Sequence, residues 1–178
     1  RNKINFISNF KCKISSPLYP NADKTPKLAD YYKLLQSDPN FTKIDELMLF
    51  NSRYIPTSNF IKNYAQKSFK KNYSILSICE DLMHRIFNDF TYSSGKTNIN
   101  TSLDQIMENK CGVCQDFAHI AICCLRSFGI PARYVSGYIK TGNSSTNFIG
   151  GDASHAWFSV YVPYFGWIDL DPTNNTYI

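Results

Sequence analysis

The feature that most constrains the fold of this chain is a change of hydrophobic period at residues 129–131. Before it, from about Cys114 to Phe128, the apolar residues Cys114, Phe117, Ala118, Ala121, Ile122 and Leu125 recur at helical spacing. Gly129 supplies a left-handed residue to end that helix, and Pro131 prevents its continuation. After it, the stretches Arg133–Lys140, Ala156–Val162 and Trp167–Asp171 follow period two and are rich in Val, Ile, Tyr and Trp, the pattern of strands. Pro163-Tyr-Phe-Gly166 joins the last two as a hairpin turn. Upstream, Ile75, Ile78, Cys79, Leu82, Met83, Ile86 and Phe90 share one helical face that ends before Tyr92. Ser74 is placed to cap this helix, and Ser77 with Glu80 resembles a capping box. Helices followed by an antiparallel sheet, with one helix packed on it, define an α+β fold.

The 178 residues suffice for one domain, and 43% hydrophobic residues exclude a disordered chain. No apolar run approaches the roughly 20 residues needed to cross a bilayer, so no membrane partner is expected. The net charge of +5 comes from lysines dispersed through the first half, with only Lys67, Lys70 and Lys71 close together. A phosphate-binding face concentrates charge more than this, and no nucleic-acid partner is expected. Residues 1–16 carry a broken period-two pattern and read as an extended arm ahead of a core at 17–178, in which short helices are expected at 27–36 and 43–50. The cysteines are Cys12, Cys79, Cys111, Cys114, Cys123 and Cys124. Several lie inside apolar helical patterns, where a thiol acts as a small hydrophobe, which fits a reducing, cytoplasmic compartment. The chain begins at Arg1, so an upstream segment is expected.

The chemistry concentrates in Lys110-Cys-Gly-Val-Cys-Gln-Asp-Phe-Ala-His119. Cys111 and Cys114 together would make a redox or zinc module. Zinc needs about four ligands, which this stretch does not supply, and a thioredoxin-type site needs a preceding strand of a βαβ unit. Cys114 alone reads as a nucleophile at a helix N-terminus, where unpaired N–H groups favour thiolate and Gly112 permits a tight approach. A nucleophile needs a base. His84 falls mid-helix and reads as surface. His119 lies about 140° around the helix from Cys114 and reads as a partner of Asp116. His155 opens a strand directly after the polar loop Thr141–Ser154, a place where catalytic groups are displayed, and is the expected base. A three-residue hairpin loop pairs Val162 with Gly166, leaving Asp171 diagonal to His155 and Asp169 about twice as far away. Asp171 is therefore the expected orienting carboxylate.

These residues resemble a known family. Gly112-Val-Cys-Gln-Asp-Phe-Ala-His119, Leu125-Arg-Ser-Phe-Gly-Ile-Pro-Ala-Arg-Tyr-Val-Ser-Gly137, His155-Ala-Trp157 and Gly166-Trp-Ile-Asp-Leu-Asp-Pro-Thr173 occur in order and are similar to the motifs of the transglutaminase-like superfamily, in particular its microbial members. The resemblance covers about residues 75–174. It implies a papain-like fold and a Cys114-His155-Asp171 triad. It also implies that residues 1–16 are the tail of a preceding β-rich domain and that the chain is an excerpt of a longer protein. Animal members use calcium, but no clustered carboxylate loop here supports it, and no metal or cofactor is expected. The expected activity is thiol-dependent acyl transfer on carboxamide or peptide bonds, by a peptidase, amidase or transglutaminase acting on protein or peptide. An oxyanion hole would use the Cys114 N–H together with Tyr92 or Asn109. The competing expectation is a non-catalytic scaffold that binds protein through surplus aromatic residues. The loop Thr141–Ser154 is expected to border the cleft and to be mobile.

Overall fold

Helix formation follows the capping chemistry of the sequence closely. In the computed structural model, which describes residues 11, 13, 18–139, 149 and 154–178, six helices precede or interleave with six strands. They are α1 (Leu28–Ser37), α2 (Lys43–Glu46), α3 (Asn59–Ala65), α4 (Ile75–Asp89), β1 (Thr91–Tyr92), α5 (Leu103–Asn109), β2 (Cys111–Gly112), α6 (Cys114–Arg126), β3 (Ala132–Gly137), β4 (His155–Val162), β5 (Gly166–Asp171) and β6 (Thr176–Tyr177). The expected arm at 1–16, apart from Lys11 and Lys13, and the loop at 141–154, apart from Ile149 and Ser154, lie outside the described residues.

Ser74 caps α4 by accepting the Ser77 N–H, so Ser77 sits inside the first turn and does not begin a second box. The helix expected at 43–50 is shorter: α2 gives way to a single 3-10 turn at Leu47–Leu49. Its Thr42 hydroxyl and Asp45 carboxylate form the capping box. The helices α3 and α5 each begin at a serine whose side chain accepts from the third residue on, Ser58 from Ile61 and Ser102 from Gln105.

The main sheet has the order β3-β4-β5-β6 and is antiparallel throughout. Val162 pairs with Gly166 and Ser159 with Asp169, the register that the three-residue loop requires. Tyr164 and Gly166 take positive φ in that turn, 67° and 81°, and Gly166 does so without the Cβ penalty. Strand β4 is buried along its whole length, and α6 packs across β3 and β4. Residues Asp116–Leu125 of α6 are all buried, because α3, α4 and α5 cover its other sides. Phe158, at 0% exposure in mid-β4, anchors this layer. Replacing it by alanine would cost about 3–5 kcal/mol, the usual penalty for emptying a phenylalanine site. The outcome is an α+β fold in which one central helix sets Cys114 against the end of the sheet.

Candidate active site

The first turn of α6 is built by its own carboxylate. Val113, at the N-cap position, has no polar side chain, so Asp116 Oδ2 reaches back to accept the Val113 N–H at 2.9 Å. The same oxygen accepts the Thr97 hydroxyl at 2.7 Å. A Cβ on Gly112 would stand 2.6 Å from that oxygen, so only glycine fits there. Strands β1 and β2 pair in parallel beside this turn, with Thr91 N–H donating to Lys110 O and Ser93 N–H to Gly112 O, both at 2.8 Å. That pairing carries Tyr92 to the side of Cys114. Burial, then the neighbouring Cys114, push the Tyr92 pKa up. Cys114 itself is half-buried, whereas Cys79, Cys123 and Cys124 are buried.

His155 and Asp171 come from adjacent strands, one opening β4 and the other closing β5. His155 Nε2 and Asp171 Oδ2 are 2.8 Å apart, and neither side chain is exposed. Asp171 Oδ1 accepts the Thr173 N–H at 2.8 Å. The Trp157 ring lies 6.2 Å from the imidazole at 25° and rests over Gly137, where a Cβ would come within 2.6 Å of it. Burial opposes charge on the imidazole. The Asp171 hydrogen bond, the Cys114 thiol and the charges of both outweigh it and raise the His155 pKa to about 9. With Nε2 committed to Asp171, His155 Nδ1 is the ring nitrogen left for the Cys114 thiol, and among the described residues no other side chain bonds to it.

The other candidates separate from this cluster. His84 is exposed on α4 and contacts Asn175. His119 is buried between Tyr54 and Tyr134, with ring centroids 6.0 Å and 5.1 Å away. Its expected partner Asp116 acts on it through charge alone, because the Asp116 carboxylate hydrogen-bonds to Val113 and Thr97. Asn109 ends α5 exposed. Lys110 then turns the chain through a left-handed conformation (φ 51°), and no hydrogen bond among the described residues ties Asn109 to Cys114 or His155. Cys111 is half-buried on β2 and unpaired with Cys114. Among the described residues no three His, Cys, Asp or Glu side chains converge as a metal site.

Two residues at the site escape sequence reasoning. Tyr134 on β3 has its pKa raised by burial and then by Cys114, so it lies near the thiol, as Tyr92 does. Asn174 contacts Asp171 directly. Beside Cys114, the Gln115 side chain borders a cleft of about 280 Å³ that Tyr54, Asn98, Ser102 and His119 also line.

A thiol at a helix start, facing an imidazole and carboxylate on neighbouring strands, defines the papain-like class of α+β folds. Within it, the core model of the transglutaminase-like superfamily matches residues 62–172, and the chain belongs to that superfamily. Rv2569c, an uncharacterized protein of Mycobacterium tuberculosis, is 45% identical over 121 residues, which are 65% of this chain and 38% of that protein. The chain thus spans well under half the length of such relatives. A protein-glutamine gamma-glutamyltransferase of Pseudomonas aeruginosa is 35% identical over 74 residues, 39% of this chain and 11% of that enzyme. Among solved structures, a candidate cysteine protease of Cytophaga hutchinsonii superposes with a TM-score of 0.64 and 33% identity, over 77% of this chain and 44% of that one. The periplasmic domain of TgpA from Pseudomonas aeruginosa shares the fold, with a TM-score of 0.60 at 20% identity over 76% of this chain and 49% of that one.

Proposed function

We propose that the chain catalyses acyl transfer from carboxamide or peptide groups of protein or peptide substrates, with Cys114 as nucleophile, His155 as general acid and base, and Asp171 as its orienting carboxylate. The observation that carries this reading is the bond between His155 Nε2 and Asp171, which leaves Nδ1 as the ring nitrogen available to a thiol. A buried imidazole held protonated to about pH 9 is an acid ready for a leaving amine at neutral pH. In the first half-reaction the Cys114 sulfur bonds to the substrate carbonyl carbon. The oxyanion is met by the Cys114 N–H and the Tyr92 hydroxyl, and His155 Nδ1 passes its proton to the departing nitrogen as the C–N bond breaks. In the second half-reaction a water or an amine gives its proton to Nδ1 and attacks the thioester carbonyl, the C–S bond breaks, and the Cys114 thiolate and His155 imidazolium are restored. The TgpA domain is periplasmic. For this chain the five described cysteines are unpaired, which supports a reducing compartment. Among the described residues no helix is long and apolar enough to cross a membrane.

The decisive experiment is to trap the acyl-enzyme with a panel of peptide and glutamine esters and to map the added mass. The expected adduct lies on the peptide containing Cys114 and is absent from Cys114→Ala. No adduct with any ester, in a chain that is folded, overturns the catalytic reading in favour of a binding scaffold.

A further inference from the structure

We propose that Asn174 is a positioning residue for this site, fixing the Asp171 carboxylate toward His155 and tying both to the backbone at Ile149. This inference rests on the triad reading above. Asn174 Nδ2 donates to Asp171 Oδ2 at 2.6 Å, the same oxygen that meets His155 Nε2 at 2.8 Å. The same amide nitrogen donates to Ile149 O at 3.2 Å, and Asn174 Oδ1 accepts the Ile149 N–H at 2.9 Å. Both hydrogens and the oxygen of the amide are therefore in use. The opposite orientation would set the amide oxygen against a carboxylate oxygen and the amide nitrogen against the Ile149 N–H, so a single rotamer is selected.

The consequence lies in the carboxylate. With Thr173 N–H holding Oδ1 and Asn174 holding Oδ2, rotation of the Asp171 side chain is stopped from both ends. His155 then meets an oxygen whose place is set by the turn after β5. The Thr173 bond alone would suffice to make that turn. The Asn174 bonds add something the turn does not need, a link between the carboxylate and the chain six residues ahead of His155. A second-sphere partner of this kind typically changes activity by about ten- to a hundredfold when removed.

The test reads the imidazolium directly and needs no substrate. Iodoacetate is an anion, so it alkylates Cys114 faster when the neighbouring ring carries a positive charge. The titratable groups facing that ring are Asp171 from β5 and Cys114 from α6. Alkylation of the whole chain, followed on the Cys114 peptide by mass spectrometry, is expected to fall off on the alkaline side near pH 9. Asn174→Ala is expected to move that limb down by about half a unit or more, since a carboxylate free to turn stabilises the imidazolium less. Asn174→Ser serves if the alanine variant does not fold. A folded variant whose limb is unmoved or raised, with only a lower melting temperature, overturns the proposal and leaves Asn174 a turn residue. Asp171→Ala run in parallel separates the two readings. If its limb also stays in place, the triad assignment itself fails; if it moves while that of Asn174→Ala does not, only the inference about Asn174 fails.

Discussion

Two buried histidines, one at the end of the sheet and one in the middle of α6, shift in opposite directions although burial acts alike on both. His119 is 8% exposed and His155 1%. Both lie against aromatic rings. Burial lowers the His119 pKa, because the one carboxylate nearby, Asp116, spends its oxygen on the helix start and not on the ring. The same burial acts on His155 and is overcome by the Asp171 hydrogen bond and the Cys114 thiol. Burial by itself therefore does not decide the sign of a histidine's shift. What decides it here is whether a carboxylate is bonded to a ring nitrogen.

The comparison breaks most visibly if the carboxylate is removed. Asp171→Ala is expected to lower kcat/KM for the ester substrate on the order of a hundredfold or more, because nothing then fixes the imidazole. Asp171→Asn offers an acceptor of the same size without the charge. It is expected to keep measurable turnover, with the His155 pKa moved down from about 9. A pH–rate profile for both variants checks this, and equal losses in the two would mean that charge and not orientation is what Asp171 supplies.

A smaller effect sharpens the same contrast on the thiol side. Iodoacetamide near neutral pH is expected to modify Cys114 about tenfold or more ahead of the other described cysteines. Burial pushes the Cys123 thiol up to about 11 and raises Cys79 and Cys124 as well, which protects them. Cys111, half-buried on β2, is the natural competitor. Peptide mapping at partial modification decides, and equal labelling of Cys111 and Cys114 removes the case for a single nucleophile.

The positions of Cys114, His155 and Asp171 in the fold were readable because each sits where a strong local signal ends. Gly112, the apolar stripe of α6 and Gly129 fixed Cys114 at a helix start, and one hairpin fixed the register that brings Asp171 to His155. The two seven-residue helices and the two-residue strands were not readable from periodicity. Helices α3 and α5 pack too few turns to show a stripe, although the Ser102-x-x-Gln105 box was present in plain view. Strands β1 and β2 are two residues each and exist because Thr91 and Cys111 meet across the chain, a contact with no local pattern. Tyr134 and Asn174 belong to the same class. Their roles come from what stands opposite them in space, and an asparagine in Asn174-Asn175 reads as a turn until its amide is seen on Asp171.

The two histidines also imply opposite contributions to stability. Folded His155 keeps its proton to about pH 9, whereas an unfolded imidazole releases it near 6.5. Its contribution is whole below about 6.5 and is lost as the pH rises through 9. His119 is held neutral, so its contribution is present above the unfolded value and is lost as the pH falls through its lowered folded value. Melting temperatures of His155→Gln and His119→Gln against the parent chain, from pH 5 to pH 10, test this. The deficit of the first is expected to shrink toward alkaline pH and that of the second toward acid. Parallel slopes would erase the distinction drawn between the two rings.

The smallest effect is expected at Asp169, the carboxylate two residues from Asp171. Strand geometry puts Asp169 opposite Ser159, four residues along β4 from His155, while Asp171 at the strand end turns back to the ring. Asp169 Oδ1 is buried with no hydrogen-bond partner among the described residues, so its removal takes away an unsatisfied polar atom and breaks no described side-chain bond through that oxygen. Its backbone carbonyl, which accepts the Ile178 N–H at 3.3 Å, is untouched by a side-chain substitution. Asp169→Ala is accordingly expected to hold turnover within about a factor of two, with a melting temperature equal to or slightly above that of the parent chain. Activity and melting curves measured beside Asp171→Ala give the comparison in one experiment. If Asp169→Ala abolishes turnover while Asp171→Ala retains it, the β4–β5 register does not set the working carboxylate, and the assignment of Asp171 falls with it.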